Sequence, residues 1–200
     1  MELKLVFALI GAVLALIGNI PYLRDTLKGK IHPHPYTWFV WSIDSLVTFF
    51  GQMQKGGGYA LIATGCAEVF TILIFVASLK NGFTHVRKID KVFLVAALLG
   101  LIPWLVAKDP TISVITVVII DVIAFIPTLR KAWNYPKSED GILYAMNVTR
   151  HILVMLSLGQ YNIATTLHSI AMLITNTTML GILRTRQMRS RTGVANRPLS

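Results

Sequence analysis

Six ionisable side chains interrupt long apolar stretches of this chain, and these residues are its clearest candidates for chemistry. A charge at the centre of a bilayer costs about 2.5–3.5 kcal/mol on insertion scales, so such residues mark binding sites, proton paths or buried ion pairs. The set therefore predicts proton coupling, substrate coordination or helix packing through charges. Its members are Asp44, Glu68, Asp121, Arg150, His151 and His168.

Asp44 and Arg150 are 106 positions apart, which is also the separation of two similar five-residue segments. Residues 20–24 read Ile-Pro-Tyr-Leu-Arg, and residues 126–130 read Ile-Pro-Thr-Leu-Arg. An internal repeat of this kind places Asp44 and Arg150 at equivalent depths in two similar units. Their opposite charges predict either a gating or substrate-coordinating pair, or a permanent ion pair that fixes the packing of the units.

Other polar residues of the apolar segments fall on the same helical faces. Asn147 lies one turn before Arg150, and its equivalent in the first unit is Trp41. Trp41 could stack on a sugar or ring, or could anchor a helix at the membrane interface. His168 and Asn176 are eight residues apart and share one face of a helix. These residues are candidates to line a substrate site.

Glu68 and Asp121 are candidates for proton coupling, because a buried carboxyl can exchange a proton near neutral pH. They could equally be counter-ions for Arg150 or hydrogen-bonding groups between helices. His32 and His34 flank a proline, but two imidazoles without a cysteine or clustered carboxylate rarely bind a metal. A solvated loop is the expected place for both, and no metal site is predicted.

Composition identifies the class of protein that must hold these residues. Apolar residues make up 54% of the chain and charged residues only 14%, against about 25% in soluble domains. The net charge of +10 does not indicate nucleic acid, because the basic residues lie between apolar segments or near the C-terminus. With Cys66 as the single cysteine, no internal disulfide can form. The chain is predicted to be an integral, all-α membrane protein.

Seven apolar segments approach the roughly 20 residues needed to cross a bilayer. Lipid cannot satisfy backbone polar groups, so helices are the expected spanning form. The predicted segments are 3–23, 34–53, 58–79, 91–107, 111–131, 140–158 and 162–183.

Fifteen of the nineteen Lys and Arg residues fall on one side of this predicted topology. They follow the first, third, fifth and seventh segments, whereas Lys4, Lys55 and Lys108 lie on the other side. The positive-inside rule then places the N-terminus outside and the C-terminus in the cytoplasm of a cell-membrane protein. The basic tail, 184–200, is expected to be disordered near anionic lipid.

The repeat and the topology together predict a 3+1+3 arrangement. Residues 1–80 form one three-helix unit, 81–109 an inner loop and linker helix, and 110–183 the second unit. The linker helix restores the direction of the chain, so the two units run parallel with a substrate site between them. The sequence leaves the oligomeric state open, including a homo-oligomer.

At this point the chain resembles the PQ-loop superfamily, which includes the SWEET sugar transporters and the lysosomal amino-acid exporters. The family's Pro-Gln motif matches at Pro21 and Pro127, with Tyr22 and Thr128 in place of the glutamine. Ser138-Glu139-Asp140-Gly141 matches the family's Ser-x-x-Gly loop. The resemblance implies seven helices, proline hinges for alternating access, and a role in substrate contact for Asn176.

Motifs for enzymatic chemistry are absent from the sequence. There is no Gly-x-Ser-x-Gly elbow, no P-loop and no His-Glu-x-x-His, and no cofactor is predicted. A retinal protein would need a lysine in the segment 162–183, which contains none. The expected function is transport of a small polar solute, such as a sugar or amino acid, with or without proton coupling. The alternative is a seven-helix receptor or sensor that uses the same pocket.

Overall fold

The structure is a computed structural model that describes residues 2–81, 86–92, 94–95, 98–99 and 109–191. Every regular element in these residues is helical, as the apolar segments predict. Residues 88–92 belong to a helical stretch whose continuation, the predicted segment 91–107, lies mostly outside the described residues. The other helices are α1 (Glu2–Leu27), α2 (Pro35–Gln54), α3 (Ala60–Asn81), α4 (Pro110–Asn134), a short 3-10 helix (Pro136–Ser138), α5 (Gly141–Ser157) and α6 (Ile163–Arg191).

Four of these helices are long and apolar enough to cross a membrane. Their outer faces carry large apolar side chains, among them Val69, Ile119 and Ile174, each more than half exposed. Apolar outer faces suit lipid rather than water, so the fold is that of a helical membrane protein. The four stretches are Glu2–Leu27, Ala60–Lys80, Pro110–Asn134 and Ile163–Arg186.

Several helices continue past the positions at which the sequence predicts their ends. Pro21 lies inside α1, which runs on to Leu27, and Pro127 lies inside α4, which runs on to Asn134. Neither proline therefore terminates its helix. The last helix extends to Arg191, so the prediction of a disordered tail from residue 184 is wrong for residues 184–191, and its remainder, 192–200, lies outside the described residues.

Small residues let α1 pack closely against two other helices. A Cβ placed on Gly11 would lie 3.0 Å from the Cβ of Ala63 in α3, and one on Gly18 would lie 3.0 Å from the Cβ of Met146 in α5. Close approach through small residues is typical of membrane helices, where packing replaces the hydrophobic effect as the driving force. The opposite face of α1 carries the large apolar side chains.

The helix contacts form a regular pattern. α1 packs on α3 and α5, and α4 packs on α6 and α2. α2 also packs on α3, and α5 on α6. Each contact therefore has a counterpart when α1, α2 and α3 are exchanged with α4, α5 and α6. No extensive contact joins α1 to α2 or α4 to α5.

The connections meet at two ends of the bundle. At the glycine end, formed by connections 55–59 and 158–162, Gly159 and Gln160 donate backbone hydrogen bonds to the Gly57 and Gly56 carbonyls. Gly56 adopts a φ of 85° there, a conformation that glycine tolerates best. The basic end is formed by connections 28–34 and 135–140 together with residues 86–92.

Aspartates begin two of the helices. Asp109 accepts hydrogen bonds from the Thr111 and Ile112 backbone N–H groups at 2.8 and 3.0 Å, and Asp140 accepts one from Ile142 at 2.9 Å. These caps satisfy backbone donors that have no partner inside the helix. The donated bonds hold the pKa of the Asp109 carboxyl below its usual value.

Candidate functional site

A central cavity lies between the helices, and all six described α-helices contribute side chains to its wall. Its empty volume is about 620 Å³ including its opening, and the space for the centres of water-sized molecules is about 70 Å³. One water needs only about 10–15 Å³ by the second measure, so the cavity has room for a small solute. Its wall comprises Asn19, Trp38, Trp41, Ser45, Thr64, Ala67, Glu68, Thr71, Asp121, Asn147, Arg150, His151, His168, Met172 and Asn176.

Most of the site residues predicted from the sequence lie in this wall. Trp41, Asn147, Arg150, His168 and Asn176 line it, as do the proton-coupling candidates. Asp44 is the exception, because it is fully buried behind the wall with no exposed surface. The structure thus brings residues from five helices together that the sequence places far apart.

Arg150 is a buried cation whose partners are neutral. Only 7% of the residue is exposed, and it donates to Asn147 Oδ1 at 3.3 Å and to His151 Nε2 at 2.8 Å. Because the guanidinium only donates, His151 must accept through Nε2 and carry its own proton on Nδ1, which faces Ser169 Oγ at 3.3 Å. His151 is therefore held as a neutral imidazole.

The expected ion pair between Asp44 and Arg150 does not form. None of the ion pairs among the described residues includes Arg150, and the acidic side chain that acts on it electrostatically is Glu68 and not Asp44. Asp44 instead lies beside Asp121, the acidic residue of α4. Equal positions in two similar units need not face each other, because each helix turns its polar face towards its own neighbours.

Asp44, Asp121 and His168 form a chain of titratable groups across three helices. Neither Asp44 oxygen has a hydrogen-bond donor among the described residues. Asp121 Oδ2 lies 3.2 Å from His168 Nδ1, and the His168 ring lies 5.7 Å from the His151 ring. Two neighbouring buried carboxylates are stable when they share a proton between them. These three residues can therefore bind at least one proton next to the cavity.

Glu68 presents a second carboxylate on the α3 side of the cavity. The residue is 6% exposed, and neither of its oxygens has a hydrogen-bond partner among the described residues. The nearby Ser45 hydroxyl donates instead to the Trp41 carbonyl at 2.6 Å. A buried carboxylate in a cavity wall without a protein donor is available to a ligand cation or proton.

Two indoles line the cavity next to this carboxylate. The rings of Trp38 and Trp41 lie 5.3 Å apart at an angle of 73°, and Trp41 also packs on Phe125 at 5.0 Å. Both indole N–H groups lack a partner among the described residues. Trp41 thus lies inside the bundle, in the wall of the cavity.

Sequence reasoning missed part of the wall. Asn19 and Ser45 were not predicted, although an amide within the apolar run of α1 is the kind of signal that finds such residues. Asn19 and Asn176 both donate from Nδ2 to the carbonyl four residues earlier, at 2.8 and 2.7 Å. Each amide therefore keeps its oxygen as the group that can accept a hydrogen bond.

A separate buried cluster closes the basic end. Tyr22 and Tyr144 donate to the same Glu139 oxygen at 2.8 and 2.9 Å, and the other oxygen pairs with Lys131. Lys131 also donates to the His32 carbonyl. This Glu139 cluster joins α1, α4, α5 and both connections at that end.

His34 is part of a second buried contact at the basic end. Its Nε2 lies 3.2 Å from Asp90 Oδ2, and Arg130 donates to the same carboxylate. Neither the His34 nor the Asp90 side chain is exposed, so the expectation of a solvated loop is wrong for His34. Asp90 thereby connects the segment 86–92 to the start of α2 and to the end of α4.

Comparison with known proteins adds no relative: neither the family models, nor the curated proteins, nor the solved structures contain a match to this chain. The function is therefore argued from the site itself.

Proposed function

We propose that this chain is a multi-pass membrane transporter that moves a small polar solute through the central cavity by alternating access. The observation that carries the proposal is the composition of the cavity wall. One guanidinium, two carboxylates, two imidazoles and three asparagine amides face a space enclosed by helices with apolar outer faces. Charges at such depth are costly, and in membrane proteins they line the pathways of solutes and ions.

The proposed topology has seven spans in the 3+1+3 arrangement. It is supported by the exchange pattern of the helix contacts and by the repeat offset of 106 residues. Trp41 and Asn147 are equivalent at this offset, as are Ser45 and His151, and all four line the cavity. Parallel repeats with a site near the midplane are known in transporters, and the resemblance to the PQ-loop and SWEET proteins is of this kind.

The proposed orientation places the basic end in the cytoplasm and the N-terminus outside the cell. Lys and Arg cluster at the basic end, whereas Lys4 and Lys55 belong to the glycine end. Cytoplasmic connections of membrane proteins carry this excess of positive residues.

Alternating access requires contacts that can open at one end at a time. The Glu139 cluster joins the two halves at the basic end, and the backbone hydrogen bonds that Gly159 and Gln160 donate to Gly57 and Gly56 join them at the glycine end. Pro21 and Pro127 lie in α1 and α4 near the basic end, where a missing backbone hydrogen bond permits bending. Opening there would separate Tyr22 from Glu139.

Proton coupling is part of the proposal, with Asp121 as the central residue. Asp121 faces the cavity, borders Asp44 and pairs with His168, so it can pass a proton between a buried store and the solute site. Glu68 forms no ion pair among the described residues, whereas Asp121 forms one with His168, and this difference favours another role for Glu68.

Uptake into proteoliposomes tests the proposal. The purified chain is reconstituted and offered radiolabelled sugars, amino acids and nucleosides, with and without an inward proton gradient. We expect saturable uptake of at least one compound, and loss of that uptake in Asn147→Leu. The lipid-facing variant Ile174→Ala serves as the matched control and should transport normally, since Ile174 is 63% exposed.

A receptor would give a different result. Stoichiometric binding of a compound to the detergent-solubilised protein, without flux of that compound in either direction, would replace the transport proposal by a sensor that uses the same cavity.

A further inference from the structure

We infer that the solute of the central cavity is a small zwitterion, with its anionic group at Arg150 and its ammonium group at Glu68 beside the Trp38 and Trp41 rings. This inference rests on the proposed function only in using the same cavity, because it concerns binding and not flux.

Arg150 supplies the anion subsite. Two of its N–H groups are used by Asn147 and His151, and a guanidinium has five donors in a planar fork. The remaining donors belong to a side chain that lines the cavity and forms no ion pair among the described residues. A carboxylate suits this fork, because two parallel N–H···O bonds can form at once.

Glu68 and the indoles supply the cation subsite. Both Glu68 oxygens are buried and have no hydrogen-bond donor among the described residues, and Trp38, Trp41 and Ser45 fall on one face of α2. Indole faces attract ammonium groups, and a nearby carboxylate adds the opposite charge. An ammonium donates up to three hydrogen bonds, for which Glu68 and the amide oxygen of Asn19 or Asn176 are available acceptors.

The charge balance of the wall favours a zwitterion over other solutes. Asp121 lies 3.2 Å from His168 and borders Asp44. Glu68 and Arg150 act on each other electrostatically, but no ion pair among the described residues includes either of them, so both opposite charges lack a partner in direct contact. A neutral sugar would leave both charges unpaired in a desolvated site. An anion alone would leave Glu68 unpaired, and a cation alone would leave Arg150 unpaired.

Binding to the full-length protein in detergent tests this inference by isothermal titration calorimetry. Glycine, L-leucine, L-phenylalanine and glycine betaine are the zwitterions. For the tightest of them, the matched amide removes the anionic charge and the matched acid without the amine removes the cationic charge. D-glucose and uridine are the neutral probes. We expect the zwitterion to bind at least about 30-fold more tightly than either singly charged analogue, as expected for loss of one partner of a buried charge pair.

Two variants assign the charges to residues. In Glu68→Gln, the preference for the zwitterion over the acid without the amine should fall by about 10-fold or more, while its preference over the amide persists. In Arg150→Gln, the preference for the zwitterion over the amide should fall by about 10-fold or more, while its preference over the acid without the amine persists. Glu68→Asp and Arg150→Lys keep the charges and allow the same comparison if the neutral variants do not fold.

The outcomes separate this inference from the transport proposal. Tightest binding of glucose or uridine, or preferences that Glu68→Gln and Arg150→Gln leave unchanged, would overturn the zwitterion site, since Glu68 and Arg150 would then only neutralise each other. Transport of a neutral solute with no zwitterion binding would overturn this inference and leave the transporter standing. Zwitterion binding with the expected preferences but without flux would support this inference and overturn transport.

Discussion

The Lys131 ammonium and the Glu139 carboxylate form an ion pair in which neither side chain has any exposed surface. Tyr22 and Tyr144 donate to the second oxygen of the same carboxylate. Glu139 thus joins α1, through Tyr22 at 117 positions away in sequence, to α4 and α5, which precede and follow it in the chain. A buried charge of this kind is stable only while its partners stay in place.

Loss of one member of this pair should destabilise the protein. In Glu139→Gln, the Lys131 ammonium stays buried without its counter-charge, at an expected cost of about 3–5 kcal/mol. The double variant Glu139→Gln with Lys131→Met should recover part of that loss, because no unpaired charge remains. Thermal unfolding in detergent measures both, with the exposed Lys28→Met as control. A Glu139→Gln variant as stable as the wild type would mean that the pair contributes nothing.

The tyrosines should control how often the basic end opens. A hydrogen bond to a charged acceptor contributes about 1.5–3 kcal/mol, so Tyr22→Phe should shift a closed–open equilibrium by roughly 10- to 150-fold. The variant Ser45→Cys, in a background that also carries Cys66→Ala, measures this opening. A membrane-impermeant thiol reagent is added from the basic side, and the rate at which it modifies the cysteine reports how often that end opens. We expect faster modification in Tyr22→Phe than in its parent.

The exposed tyrosine Tyr161 provides the matched control for this measurement. Its hydroxyl donates to the Met155 carbonyl, close to the glycine end, so Tyr161→Phe should leave modification from the basic side unchanged. Equal rates in Tyr22→Phe and its parent would show that the Glu139 cluster does not limit access.

Asp121 should link solute movement to the proton gradient. In Asp121→Asn the carboxyl group that borders Asp44 and contacts His168 is replaced by an amide that cannot carry a proton, so an inward proton gradient should no longer accelerate uptake. Exchange of labelled for unlabelled solute needs no net proton movement and should persist. Asp109→Asn, which keeps a side chain that can cap its helix away from the cavity, is the control. A gradient response retained in Asp121→Asn would assign coupling to another group.

Much of the architecture follows from the sequence because lipid imposes a simple rule on it. Runs of about 20 apolar residues must become helices, and six of the seven predicted segments contain helices whose bounds differ from the prediction by a few residues at most ends. The exception is α6, since a basic polar stretch such as 184–191 can continue a helix without any apolar signal.

Most residues of the cavity wall can be predicted from the sequence, but the contacts between their side chains cannot. Polar residues in apolar segments are rare enough that most of them belong to the site, which is why Asn147, His168 and Asn176 could be found. Partner choice depends on helix rotation, which a sequence offset does not encode. Asp44 therefore meets Asp121 and not Arg150. His34 was misjudged for a related reason, because its partner Asp90 comes from a distant connection.

Close packing around α1 predicts that its glycines tolerate substitution poorly. In Gly11→Ala the new methyl would lie 3.0 Å from the Ala63 Cβ, so α1 and α3 would have to move apart. Overpacking of this kind costs about 1–3 kcal/mol, which outweighs the gain of up to about 1 kcal/mol in helix propensity. Gly181→Ala is the matched control, because no atom lies within 4 Å of its added Cβ, and it should be neutral or stabilising. Unfolding of the two variants side by side in the same detergent measures the difference, and equal stability would show that α1 can yield at this contact without cost.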